Sequence, residues 1–419
     1  MVRQYQGTAP NTPCPVPTAG ILAKLASIFD VLPDGHLLAH LWEHRRNGRP
    51  GYPLQAMWRA YLASFILNLG NTNDLIRRLR DDYPLRELCG FGSLLPHRRT
   101  FNRFIQRLAV PHHADMVEAI FTALTNKLKE FIPDLGQELA IDSTFVRSHC
   151  SPNSKTKRSG RTEKSDPEAS WTAKNSTQAK EDGKEWKHGY KVHMVADTKH
   201  EVPLAVKVTT ASRNDSPELP DVVDQMLAQL PWLQPTALMA DRGYDAYSIF
   251  DYLNNKDILP IIRIKQSPHG ALKEGIYTKD GVPTCIGKIP MQYVRSEDGK
   301  GHLYRCAGCH LKDSKVGMTT HCDTEVWEDP TRNLRLFGPP HIRREGKEWK
   351  VLYAKRQGIE RIFRSLKAVR RLERHCIRGL DQIRLHTLMS TLAFQATFLI
   401  NKQAGLGAKE ARWMIARVA

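Results

Sequence analysis

The sequence predicts an α/β fold in which an antiparallel three-strand meander is extended by parallel strands and preceded by a helical region. Three observations carry that expectation. Short apolar runs recur at LAIDSTFVR (139–147), KVHMVADT (191–198), PLAVKVTTA (203–211), TALMAD (236–241) and ILPIIRIK (258–265). The first three read as a meander, with a turn at Lys199–Val202, whereas helical patterns separate the later ones and favour parallel addition. From about residue 21 to 130 the apolar spacing is that of helices.

Taken in order, residues 1–20 are rich in Pro, Gly and Thr and read as a loose arm. A helical domain follows over 21–135. Its clearest segments are LQAMWRAYLASFILNL (54–69), a second helix near 73–81, and LPHRRTFNRFIQRL (95–108). In the last, Phe101, Phe104, Ile105 and Leu108 make an apolar stripe, with Arg98, Arg99, Arg103 and Arg107 mostly outside it. A short helix, a turn and a basic amphipathic helix resemble a DNA-binding helix-turn-helix; an ordinary surface helix is the alternative. Residues 136–270 read as the first part of the core. Within it, 151–187 is polar, with nine basic and six acidic residues, and reads as a mobile loop. Ser216-Pro217 signals a helix start before ELPDVVDQMLAQL, and AYSIFDYL (246–253) is a further helix. Residues 271–345 read as a mostly β insertion, with 288–306 a hairpin closed near Asp298–Gly301. The core is completed over 346–402, and 403–419 is a tail. The run LMSTLAFQATFLI (388–400) carries Ser, Thr and Gln and reads as a buried helix rather than a membrane span. Strand, strand, strand, helix, strand, helix, strand and a late helix make the order of a ribonuclease-H-like core.

The chain has 419 residues, 41% of them hydrophobic, and a net charge of +18. From Arg343 to Arg384 there are 14 basic against 5 acidic side chains, so half of the net charge sits in a tenth of the chain. Such clustering reads as a polyanion-binding surface, with nucleic acid the commonest partner. The N-terminus, MVRQYQGTAPNTPCP, has no apolar h-region, and eight cysteines in a chain this size suggest a reducing cytoplasm. Cys285, Cys306, Cys309 and Cys322, with His310 and His321 adjacent, are a candidate structural Zn²⁺ set; free reduced thiols are the alternative.

The stretch YAKRQGIERIFRSLK (353–367) places one acid, Glu360, inside a basic run. On one helix, Tyr353, Arg356, Glu360, Arg364 and Lys367 share a stripe, while Ile359, Ile362, Phe363, Leu366 and Val369 face a core. The plain alternative is an Arg356–Glu360–Arg364 ion-pair ladder, worth a few tenths of a kcal/mol per pair, roughly. Two further carboxylates bear on the choice. Asp142 lies inside the first strand, and Asp241 ends a buried strand at the edge where open α/β sheets place ligands. Three hard oxygen donors on one edge suit Mg²⁺ or Mn²⁺.

These residues resemble a bacterial insertion-sequence transposase of the DDE class. Tyr353, Arg356, Glu360 and Lys367 match the Tyr-x2-Arg-x3-Glu-x6-Lys signature of one branch. AIDST (140–144) and MADRGYD (239–245) resemble the family's two aspartate motifs, and DPEASW (166–171), WKHGYKVH (186–193) and NDSPELP (214–220) resemble other segments. The resemblance implies that Asp142, Asp241 and Glu360 hold two divalent ions roughly 3.5–4 Å apart. One ion would activate a water or 3′-hydroxyl and the other stabilise the leaving oxygen. Tyr353, Arg356 and Lys367 would grip phosphates beside the scissile bond, with Arg364 and the arginines at 98, 99 and 103 as further DNA contacts. The partners implied are double-stranded terminal repeats and target DNA, bound by a dimer in the bacterial nucleoid. A catalytically silent DNA-binding protein is the alternative.

Overall fold

The helical pattern of the first third resolves into seven helices among the described residues. They are α1 (Gly20–Val31), α2 (Gly35–Glu43), α3 (Leu54–Ile66), α4 (Thr72–Asp81), α5 (Tyr83–Cys89), α6 (Arg98–Leu108) and α7 (Pro111–Phe131). The computed structural model describes residues 20–44, 51–158, 161–175, 184–265, 277–278, 281–285, 287–297, 299–306, 324–328, 342 and 346–406. Local chemistry sets several helix starts. The Asn71 side chain accepts from the amides of Asn73 and Asp74 at the head of α4, Asp82 caps α5, and Pro111 opens α7. The expected helix-turn-helix is modified: α5 stands between α4 and the basic helix α6, although Thr72 still bonds Asn102 across the pair (3.0 Å).

The core sheet comprises β1 (Glu138–Arg147), β4 (Ser170–Asn175), β5 (Lys184–Asp197), β6 (Val202–Thr210), β7 (Ala237–Ala240) and β8 (Leu259–Ile262); β2 (Lys155–Arg158) and β3 (Arg161–Lys164) pair separately. β5 is antiparallel to both β1 and β6, and β7 and β8 add in parallel beyond β1. α8 (Glu218–Gln229) and α9 (Tyr247–Asn254) make the crossovers. This is the ribonuclease-H-like arrangement that the strand order predicts. Gly189 is needed where β5 crosses β1, since a Cβ there would meet the Val146 carbonyl at 2.2 Å.

The segment 151–187 differs from the mobile loop that its composition suggests, because β2, β3 and β4 lie in it and β4 joins the main sheet along the start of β5. KTKR (β2) and RTEK (β3) carry no apolar residue that would mark them as strands in the sequence, and β4 pairs along its backbone with β5. In the insertion, β9 (Gln292–Glu297), β10 (Gly301–Arg305) and β11 (Glu325–Glu328) form a three-stranded sheet, with β9 and β10 as the expected hairpin.

The single late helix divides into α10 (Lys347–Lys355) and α11 (Gln357–Val369), with Arg356 at the joint. There the Ile359 amide donates to the Arg356 carbonyl (3.1 Å), a three-residue step that tightens the turn. α12 (Leu380–Gln403) is buried on almost every side and packs against α7, α3, α1 and β6. No helix among the described residues is long and apolar enough to cross a membrane. Gln395 ties the layers by donating to Thr125 of α7 and to the Pro203 carbonyl of β6, both at 2.8 Å. One hydrophobic core therefore runs from Leu25 to Leu399.

Candidate active site

Each of the three carboxylates arrives on a different element. Asp142 sits midway along β1, opposite Met194 of β5, and its Oδ1 accepts from the Ser143 amide (2.8 Å). Asp241 follows the last residue of β7 and caps the short 3₁₀ turn Arg242–Tyr244, accepting from Gly243 (2.7 Å). A Cβ on Gly243 would lie 2.7 Å from the Asp241 Oδ1, so a larger residue there would push that carboxylate aside. Glu360 is exposed in the first turn of α11. Gly358 lets that helix approach the β5–β6 turn, where a Cβ would be 3.1 Å from the Thr198 carbonyl. Ion pairs Lys355–Glu138 (2.6 Å) and Arg361–Glu201 (2.8 Å) pin α10 and α11 along the same edge.

Arg356 joins the carboxylates. Its guanidinium donates to Asp142 Oδ2 (3.1 Å) and to Glu360 Oε1 (2.5 Å), with only 16% of its side chain exposed. Burial pushes the Asp142 carboxyl up to about 6, against the Ser143 amide and Arg356, and the nearby charges of Asp241 and Glu360 push in the same direction as burial.

The other sequence-selected residues divide. Tyr353 stacks on Trp349 (ring centroids 5.0 Å apart), with the Arg263 guanidinium 4.5 Å over its face. Lys367 donates to the Phe145 carbonyl (3.3 Å) and pairs with Glu373 (2.5 Å). Arg364 is exposed, as are Arg98, Arg99 and Arg103 on α6. Arg107 instead turns inward to the Leu41 carbonyl (2.7 Å), so it belongs to the packing and not to the basic face. Cys285 and Cys306 share a small apolar cluster with Met291 and Tyr304. Cys309, Cys322, His310 and His321 lie outside the described residues.

Several residues escaped sequence reasoning. Tyr244 is buried against the carboxylates, its hydroxyl without a hydrogen-bond partner among the described residues, and burial raises its pKa well above 10. Its place in MADRGYD was the available signal. Asp166, in DPEASW, accepts from Ser148 (2.6 Å), Tyr190 (2.5 Å) and the Gly379 amide (3.2 Å), while Glu168 caps Leu380 (2.8 Å). Together they fasten the start of α12. Arg371 is buried over the Phe65 ring and bonded to Ser64 (2.6 Å), and with Arg98, Asn102, His375 and Arg378 it lines a cavity of about 470 Å³. Nothing in the basic run marked it out.

Two family models match the chain. Residues 134–395 match the family model described as Transposase DDE domain, and residues 14–107 match Transposase domain (DUF772). No curated protein sequence matches. Among solved structures, the cryo-EM structure of the piggyBac transposase synaptic complex with hairpin DNA is similar at 12% identity, over 95% of this chain and 78% of that one, with a TM-score of 0.42. Since the first of these models spans well over half of the chain, the protein belongs to the transposase DDE family and is a DNA transposase, an enzyme that cuts DNA and transfers strands.

Proposed function

We propose that Asp142, Asp241 and Glu360 are the catalytic carboxylates of an insertion-sequence transposase that cleaves at the element's terminal inverted repeats and joins the ends to target DNA. One observation carries this reading: Arg356 bridges Asp142 of β1 and Glu360 of α11, and the charge of Asp241, at the end of β7, acts on both Asp142 and Arg356. An isolated ion-pair ladder on one helix would not recruit Asp142 from a strand 214 residues away in the chain.

Members of this family generally use divalent metal ions, and an all-oxygen donor set in which burial first, and the charges of Asp241 and Glu360 after it, raise Asp142 suits Mg²⁺ or Mn²⁺. Bound there, two such ions would supply an activated water or 3′-hydroxyl and stabilise the leaving oxygen. The chain's own residues do the rest. Arg356, freed from its carboxylates as their charge is neutralised, turns to a phosphate beside the scissile bond. Lys367 flanks the same edge, and Tyr353 is held rigid between Trp349 and Arg263. The helical region, with the arginines of α6, grips the ends.

The test is to measure nicking of terminal-repeat duplexes and binding to them on the same preparations. Asp142→Asn, Asp241→Asn and Glu360→Gln are each expected to abolish cleavage and leave binding within about twofold, because these groups face metal rather than bases. Cleavage near the wild-type rate in any one of them removes that residue from the centre.

A further inference from the structure

Away from the carboxylate edge, His40 in the last turn of α2 meets His112 and His113 in the first turn of α7. One ligand-capable nitrogen from each ring lies within 4.8 Å of the others. His113 is buried, and its Nδ1 donates to the Arg107 carbonyl (2.8 Å). A carbonyl can only accept, so the proton is on Nδ1 and the Nε2 lone pair is free to ligate. That Nε2 is 3.1 Å from Nε2 of His112. The third ring closes the group edge-on, with centroids 5.5 and 5.3 Å from those of His112 and His113. Its Nε2 is shut off from solvent and has no hydrogen-bond partner among the described residues. Leaving a buried polar nitrogen unpaired costs about 1–3 kcal/mol, and a stack of three bare imidazoles does not remove that cost.

We propose that His40, His112 and His113 bind a structural transition-metal ion, Zn²⁺ in preference to Mg²⁺, separate from the carboxylate centre. Three neutral nitrogens are the donor set of zinc and other borderline ions, not of the hard cations that carboxylates select. Nitrogens on one tetrahedral zinc sit about 3.3 Å apart, given bonds of about 2.0–2.1 Å. The His112–His113 spacing already meets that, and the exposed His112 has room to swing toward His40. The Arg107 carbonyl that orients His113 plays the part of the outer partner typical of histidine ligands. Arg107 also holds the Leu41 carbonyl (2.7 Å), so metal and arginine together would lock the end of α2 to the α6–α7 corner. That corner fixes the bearing of α6, whose Arg98, Arg99 and Arg103 face solvent.

Co²⁺ is the probe, titrated into the full-length protein with Mg²⁺ in excess to occupy the carboxylates. One equivalent is expected to bind with visible d–d bands and no thiolate charge-transfer band. His112→Ala and His40→Ala should each weaken binding by more than the roughly 10–100-fold that loss of an outer partner costs. Zn²⁺ should raise the melting midpoint of the wild type but not of His112→Ala. His112 is exposed, so that variant and the wild type should melt alike in chelator. Absence of binding, equal binding by wild type and His112→Ala, or a thiolate band removed by Cys306→Ser would each overturn the site.

Discussion

Arg356 is held by two carboxylates at once, and that pairing defines what it can do for DNA. In the free protein its charge is spent on Asp142 and Glu360, and that of Lys367 on Glu373 and a carbonyl. If both residues turn to phosphate in the complex, Arg356→Ala and Lys367→Ala should each flatten the plot of log K against log salt by roughly one unit. An unchanged slope would leave them as structural ion pairs. A second residue-scale effect concerns stability. Burial holds the His193 imidazole down to about 4 from 6.5, against the pull of Asp215 and Glu218. His386 is depressed by burial in the same direction. At these two histidines the unfolded chain binds protons that the folded chain refuses, so stability should fall as pH drops from about 6.5 towards 4. The fall is less steep than they alone would give, because the raised Asp142 carboxyl takes up a proton in the folded state over the same range. Urea midpoints across that range measure it. His193→Gln, which can keep the bond to Thr209 (2.9 Å), should make the fall shallower. A slope identical to that of the wild type would show that His193 is not one of the groups responsible.

At the scale of elements, α6 separates two kinds of arginine. Its buried face, Phe101, Phe104 and Leu108, seats the helix, leaving Arg98, Arg99 and Arg103 exposed while Arg107 faces α2. Alanine at the three exposed positions is expected to weaken binding to terminal repeats by about tenfold or more without moving the melting midpoint. Arg107→Ala should do the reverse and cost about 1–3 kcal/mol, since it strips a charge-assisted bond from the Leu41 carbonyl. Equilibrium binding and thermal melts on both variants decide the assignment, and it fails if the triple variant binds like the wild type. The basic run from 343 to 384 makes the same point against a simple charge count. Arg370 and Arg371 are buried, and Lys355, Arg361 and Arg384 are paired with Glu138, Glu201 and Asp115 with Glu118.

For the whole molecule, the helical region and the sheet share one core through α12, whose Leu385, Leu388, Leu392, Phe394 and Phe398 are buried. Each such side chain contributes about 1.5–3 kcal/mol on burial. Removing residues 1–130 would uncover the faces of α12 that α1, α3 and α7 cover, so the sheet is expected not to fold without them. Assembly follows from charge. At +18, two protomers repel, and screening over about 8 Å at physiological salt relieves this only partly. Terminal DNA would supply the missing negative charge. The free protein is expected to be largely monomeric and to form a two-protomer complex when both ends are bound, as read by light scattering with and without end duplexes. A stable dimer at moderate salt without DNA would remove this argument.

The sequence alone determined the strand order, the helical head, the buried late helix and the two aspartate motifs with the glutamate spacing. These are local: period-2 and period-3.6 apolar patterns, cap residues and short motifs are written within a few residues of where they act. It did not reveal β2 to β4, because KTKR and RTEK carry no apolar residue that would mark them as strands and β4 pairs along its backbone with β5. Only the tertiary structure decided that the late helix turns at Arg356, that Arg107 faces inward, and that Asp166 and Glu168 fasten the head of α12. The same holds for Asp142 and Glu360 meeting on one guanidinium across 214 residues of sequence separation between Asp142 and Arg356. Such contacts are set by which faces the sheet and α12 bring together, and a charge carries no mark along the chain of the partner it will meet in space.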